Sequence, residues 1–303
     1  MSDDCKLVVV APTKITEIAA SNVLETDYPE WVAGTYAKGQ RVIVLSTHSV
    51  YESMADGNND NPLTPTAEPK WLRVGPTNRW KAFDESISTQ TAQADSITYT
   101  LTPGEPVSRL TFLNLTDAES IRVQITDPLF PGEEYDRTIT LGRQLQRASW
   151  WNYFYGRRDV PTQADFDDLP GFRNPTIDIT ITGGAALAVG VILPGVSQAW
   201  GLSVRNGARI GIQDYSRKGV DDFGNTQIVK RNFARRMNAT LVVPAGEVDS
   251  LYNFMANVRA EACLWIATNA FESTTIYGYY WNFEFLLAYG NFAEFELELR
   301  GIT

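Results

Sequence analysis

Apolar and polar residues alternate with a period of two through the middle of the chain. Ile97–Tyr99–Leu101, Ile121–Val123–Ile125, Ile139–Leu141 and Ile177–Ile179–Ile181 each skip a polar neighbour, and turn pairs stand between them at Pro103-Gly104, Pro131-Gly132 and Gly183-Gly184. This pattern predicts short antiparallel strands buried on one face, closing into a jelly-roll-like β-sandwich over residues 85–200. The densest aromatic cluster, Trp150-Trp151-Asn152-Tyr153-Phe154-Tyr155, falls inside it. Read as a strand, the cluster puts Trp151, Tyr153 and Tyr155 on one face and Trp150 and Phe154 on the other. One set belongs to the core, and the other is a candidate interface or ligand surface.

After Trp200 the pattern changes. Asn206-Gly207 between β-compatible flanks predicts a hairpin. Over Glu247–Ala260 the apolar positions Val248, Leu251, Tyr252, Met255 and Val258 take helical spacing, with acids early and Arg259 late, which predicts the main helix of the chain. Cys263–Ala267 reads as a buried strand. Trp281–Phe283–Phe285–Leu287 and Phe295–Leu297–Leu299 read as two strands paired through a turn at Tyr289-Gly290-Asn291. On the last strand Glu294, Glu296 and Glu298 share the opposite face. That face is either solvated, protected against edge pairing, or turned toward a subunit contact. Residues 201–303 are therefore expected to form a small α+β domain.

Two stretches precede the sandwich. Residues 1–25 hold an apolar run, Leu7–Val10, and then KITEIAASNVLET, in which Ile15, Ile18, Ala19 and Asn22 would share one side of a short helix. They read as an arm docking on a neighbouring domain or subunit, or equally as an ordinary first strand. Residues 26–84 are different in kind: Trp31, Tyr36, Tyr51 and Trp71 are scattered through a polar background punctuated by Gly, Pro and Asn. A segment of this composition builds its core from aromatic rings. Thr77–Asp84 reads as a hinge, anchored to the next domain by Trp80 and Phe83. The expected fold is mainly β: a small aromatic-cored module, a central sandwich, and a C-terminal α+β domain with one main helix.

Composition narrows the partners. The 303 residues are 44% hydrophobic and 12% aromatic, which supports packed domains, and the formal charge of −10 with pI near 4.7 argues against nucleic acid and against an anionic membrane surface. The longest apolar run, Ala185–Leu193, is too short to span a bilayer as a helix, so no membrane insertion is expected. The start carries no pattern of a secretory signal. The two cysteines, Cys5 and Cys263, offer neither a disulfide framework nor metal spacing, as expected of a chain made in a reducing cytoplasm.

Candidate chemistry is thin. The single histidine, His48, sits in Ser46-Thr47-His48-Ser49 and has no nucleophile motif around it. Glu133-Glu134, Asp165-Phe166-Asp167-Asp168 and Asp221-Asp222 supply carboxylates of the kind a glycosidase needs, but each lies among turn residues and reads as a solvated loop. None has calcium-loop spacing, and Gly219–Gly224 lacks the order of a phosphate loop. Arg231, Arg235 and Arg236 form the one basic cluster, which on an acidic protein suits a neighbour's carboxylates. The expectation is a non-enzyme with no cofactor and no metal.

Two resemblances add to this reading. Trp31, Tyr36, Gly39, Val42, Tyr51, Asn61, Pro62 and Trp71 are spaced in a way that resembles the small chitin- and cellulose-binding module of carbohydrate-binding module family 5/12. In that family an aromatic pair shortly after the tyrosine matching Tyr51 stacks on sugar, whereas here the place reads Glu52-Ser53-Met54-Ala55-Asp56. Trp31, Tyr36 and Trp71, with Trp151, Tyr153 and Tyr155, remain the candidate glycan or docking surface. The whole arrangement resembles structural proteins of bacteriophage tail tips and baseplates. Three stretches carry it: Pro76–Asp84, Tyr135–Thr138 through Trp150–Phe154, and Tyr215–Lys218 through Arg231–Ala234. The resemblance implies synthesis in the host cytoplasm, a place in the virion tail, assembly with copies of itself and with other tail proteins, and a role in host attachment through cell-surface glycan. Arg231, Arg235, Arg236, Glu294, Glu296 and Glu298 are then the candidate subunit interface. The alternative is a dedicated carbohydrate-binding protein.

Overall fold

The computed structural model describes residues 6–302, apart from 133, 143, 146–149, 151–153, 155–157, 160, 205–207, 221–223, 269–271 and 288–289. The fold is mainly β, with antiparallel strands and one main helix near the C-terminus. The chain divides into two compact units, one of residues 14–193 and one of residues 1–13 with 194–303.

The first unit contains the alternating strands. Ser96–Leu101 pairs with residues 177–182 of the long strand Thr176–Trp200, so Ile97, Tyr99 and Leu101 lie opposite Ile181, Ile179 and Ile177. All six are buried at 1% exposure or less. Arg109–Thr126 pairs with Gln163–Phe166 through Leu110–Leu113 and with Glu134–Thr140 through Ser120–Thr126. The core that results includes Phe112, Ile121, Ile125 and Phe166, with Phe112 and Phe166 meeting edge to face at 5.9 Å. Fully burying side chains of this size stabilises by about 1.5–3 kcal/mol each, which is why the period-two pattern prevails over the exposed loops between strands.

The expected helical face at Ile15–Asn22 is not formed. Ile18–Ser21 is a strand on Tyr99–Leu101, and the Asn22 side chain accepts from the Thr98 N–H at 2.8 Å. Four residues of edge pairing give the segment hydrogen-bond partners that an isolated turn of helix would lack.

Residues 26–84 form the small aromatic-cored sheet, with Arg41–Val44, Ser49–Ser53 and Trp71–Pro76 in that order. Its exit, the 3-10 helix Asn78–Phe83, enters the larger core of the same unit. Trp80 meets Phe83 at 6.2 Å and Phe83 meets Tyr99 at 5.3 Å, both edge to face, while the Tyr99 hydroxyl donates to the Arg79 carbonyl at 2.7 Å. The predicted anchors, Trp80 and Phe83, are the ones used. Glu25 ties the junction from the other side: its carboxylate, 6% exposed, accepts from Thr77 Oγ1 at 2.8 Å and lies 2.9 Å from His48 Nδ1 and 3.3 Å from Arg79. His48 stacks on Trp80 at 4.7 Å, so the lone histidine serves this junction.

The second unit joins both ends of the chain. Leu7–Pro12 lies between residues 195–200 and Cys263–Ile266, antiparallel to each. The order then continues through Thr275–Leu286, Phe292–Gly301 and Phe233–Pro244. Helix Val248–Asn257, a little shorter than the periodicity predicted, buries Leu251 and Met255 against Val9, Leu241, Trp265 and Phe295, with Val258 just beyond its end. Tyr252 is half exposed and touches Phe283 edge to face at 6.0 Å.

Asn206 and Gly207, where a hairpin was expected, lie outside the described residues. Their flanks, Ser203–Val204 and Arg209–Asp214, do not pair with each other; both run antiparallel to the same strand, Phe233–Pro244. The reversal comes later. Arg217–Val220 pairs with Thr226–Val229, and with the pairing of residues 212–214 to 233–235 this makes a two-stranded arm over residues 212–235 that runs on from the main sheet.

Candidate functional site

In the small sheet Trp71 is core and Tyr36 packs on it. Trp71 is 8% exposed, its indole N–H donates to the Asp60 carbonyl at 2.8 Å, and Tyr36 meets it edge to face at 5.1 Å. The Tyr36 hydroxyl donates to the Val32 carbonyl at 2.7 Å. Trp31 is partly buried and held by its backbone N–H to the Ile43 carbonyl at 2.8 Å. Where the sugar-stacking pair of the resembling family would stand, Asp56 closes a loop by accepting the Lys38 N–H at 2.9 Å. Sugar recognition needs flat, open aromatic faces, and Trp71 has none to offer.

Trp151, Tyr153 and Tyr155 lie outside the described residues. Their neighbours Trp150 and Phe154 have helical backbone rather than the expected strand, and their rings stack at 6.3 Å. Both are strongly exposed, at 80% and 68%.

Two of the carboxylates considered for hydrolysis, Asp165 and Asp168, are engaged in structural pairs. Asp165 accepts from Arg109 through Nε at 2.9 Å and also through Nη2, and from Thr111 Oγ1 at 2.7 Å. Asp168 accepts from Arg137 at 2.5 Å and from the Tyr135 hydroxyl at 2.7 Å. Burial alone would raise the Asp168 pKa, but these two donors outweigh it and hold the carboxyl below its usual range. Tyr135 is pushed up to about 12, first by burial and then by Asp168. Glu133, Asp221 and Asp222 lie outside the described residues. Among the described residues no group of three or more His, Cys, Asp or Glu side chains is arranged to hold a metal ion, and no helix is long and apolar enough to cross a membrane.

The remaining candidates meet in the second unit. Residue by residue across the strands, Val242, Thr240 and Asn238 lie opposite Glu294, Glu296 and Glu298, and on the far side of the same strand Glu296 lies opposite Glu284. Because Ala293, Phe295, Leu297 and Leu299 alternate into the core, these glutamates all face away from it. Glu284, Glu296 and Glu298, but not Glu294, line an open depression of about 390 Å³ together with Arg209, Asn238 and Thr240. Glu298 is met by Arg300 at 3.2 Å, and Arg300 caps the half-exposed Trp281 ring at 3.6 Å. Glu284 was not singled out by sequence reading, although its alternation with Phe283 and Phe285 marks it as outward-facing.

Arg236 lies opposite Arg300 at the arm end of this face, Arg235 reaches the Thr275 carbonyl at 3.1 Å, and Arg231 is exposed on the arm. The structure thus places the basic and acidic candidates on adjoining parts of one unit. The arm is also apolar: Ile212, Ile228, Val229 and Phe233 are each more than half exposed. At its base Asp214 accepts from Ser216 and is met by Lys218 at 3.0 Å; the Ser216 bonds, then Lys218, push its pKa down to about 2. Comparison of the sequence with protein-family models and with curated proteins finds no match.

Proposed function

We propose that this chain is a non-catalytic structural component of a bacteriophage tail tip or baseplate, assembling with copies of itself and with other tail proteins. Made in the host cytoplasm, it travels in the virion tail, and its small aromatic-cored module serves as a docking piece on the outside of the assembly. The observation that carries this reading is the exposed, apolar and basic arm of residues 212–235, joined to a strand whose other neighbour bears an acidic face. Surface of that kind, left open on a single chain, is characteristic of a protein completed by partners. The three stretches that resemble tail proteins coincide with structural features: the junction helix Asn78–Phe83, the strand containing Tyr135–Thr138, and the arm itself. The engagement of Asp165 and Asp168 in structural pairs favours a role without catalysis. Quantitative mass spectrometry and labelled-antibody imaging of purified particles test the reading. The chain is expected at a fixed copy number at the tail tip, and its absence from particles would sink the proposal.

One observation favours a second reading, a dedicated carbohydrate-binding protein. Trp150 and Phe154 present exposed rings of the kind that stack on sugars. Glycan-array binding that is lost in Trp150→Ala and Phe154→Ala, with unchanged thermal unfolding, would establish it. Trp71→Ala is unsuitable for that test because Trp71 is core.

A further inference from the structure

We propose that the arm of one copy docks on the acidic sheet face of a second copy, making a head-to-tail contact. This rests on the assembly role above and names the surfaces that carry out self-association.

The arm cannot account for itself as an isolated feature. Arg217–Val220 and Thr226–Val229 pair only with each other, forming a two-stranded sheet of their own. Such a ribbon is marginal in water without a third strand or a packed face. Yet Ile228 and Val229, which project to opposite faces of the ribbon, are 66% and 52% exposed. Continuing toward the sheet, Ile212 and Phe233 are exposed as well. An apolar surface of this extent on both faces of a ribbon is stabilised by a partner.

Charge identifies the partner. Residues 212–235 hold five basic side chains against three acidic ones, in a chain whose formal net charge is −10. Glu284, Glu294, Glu296 and Glu298 supply the complementary surface. Glu284 and Glu296 are directly cross-strand in a depression that three glutamates line with a single basic side chain of the same chain, Arg209, so it carries an acidic excess that further cations relieve. The chain's own arm leads away from this row. It leaves the sheet at the Phe233 end of the strand Phe233–Pro244, whereas the glutamates run toward the other end, Glu294 standing opposite Val242. From Arg236 to Val242 is about 20 Å of extended chain. A second copy's arm has no such restriction. Because the two surfaces differ, the contact is heterologous and propagates to a ring or a filament.

The test uses charge reversal in the full chain, read by sedimentation velocity. The arm variant is Arg217→Glu with Arg231→Glu; both residues are exposed and lie outside the sheet core. The face variant is Glu284→Lys with Glu296→Lys, which keeps a like-charged cross-strand pair at two exposed positions. Each variant alone is expected to weaken self-association by at least about tenfold, with unchanged thermal unfolding. Combining all four substitutions in one chain is expected to restore it, and wild-type association should weaken with added salt. A wild-type chain that stays monomeric at about 100 µM, or association indifferent to both reversals, overturns the proposal. So does a four-fold variant as weak as its parents. Each of these results leaves the tail-tip reading to be judged separately by the composition of particles.

Discussion

A methyl group added at Gly278 would stand 2.1 Å from the Arg300 carbonyl oxygen and 2.6 Å from the Gly301 Cα. Both are backbone atoms in a paired strand, so the neighbour cannot turn aside as a flexible side chain would. Gly278→Ala is therefore expected to cost about 3 kcal/mol or more, at or above the upper end of overpacking penalties, seen as a lowered denaturant midpoint for the C-terminal unit. Nothing in the local sequence TIYGYY marks this glycine, because the atom it must avoid belongs to a strand more than twenty positions later. Asp214 shows the opposite kind of legibility. Its partners Ser216 and Lys218 are two and four residues away, and their effect is local. With the folded pKa pushed down to about 2, against about 3.9 for an ordinary Asp, the stabilisation from this turn is present above pH ~4 and is lost as the pH falls through 2. A carboxyl-carbon NMR titration should place the Asp214 midpoint near 2, and Ser216→Ala should move it up toward the ordinary range.

Among the elements, the alternating strands and the main helix were the most legible, since each buries one face and the burial period is written in the residues themselves. Leu251, Met255 and Val258 reach the core as their spacing requires. The small sheet was legible as an aromatic core, but its consequence for binding depended on which faces the rings show. Trp71→Ala is expected to cost about 3–5 kcal/mol and to remove the cooperative unfolding of the small sheet. Trp71→Phe should lose less, retaining most of the ring contact with Tyr36 while giving up the bond to the Asp60 carbonyl. Intrinsic tryptophan fluorescence during urea unfolding distinguishes the two. Ser203–Val204 and Arg209–Asp214 pair with one strand of twelve residues and not with each other, because that strand offers each of them a longer line of backbone partners than they could offer one another. The arm was missed as an element because its strands, Arg217–Val220 and Thr226–Val229, bury no face and so carry no alternation.

The two compact units cut across the order of the chain. Leu7–Pro12 is paired on both sides in the C-terminal unit, with Leu7 and Val9 fully buried there. A fragment of residues 194–303 should therefore fail to fold alone and should recover a cooperative transition when a peptide spanning residues 6–13 is supplied, as followed by circular dichroism. Residues 14–193, which hold a complete core of their own, should unfold cooperatively in isolation. Had the first strand been only a loose arm, the 194–303 fragment would fold without it. The choice between arm and strand could not be made from Leu7–Val10 alone, because an apolar run of four suits either.

Acidity, scarcity of histidine and cysteine, the mainly β character and the position of the main helix all followed from the sequence alone. Each is a property of composition or of a periodicity within one segment, so no partner need be known. Tertiary structure alone decided that Trp71 is core, that Leu7–Pro12 completes a sheet nearly two hundred residues away, and that the glutamates of two strands form one face aligned with a basic arm. Exposure, register and the meeting of distant charges depend on how segments pair, and pairing is settled by the burial of the whole core rather than by any stretch within it.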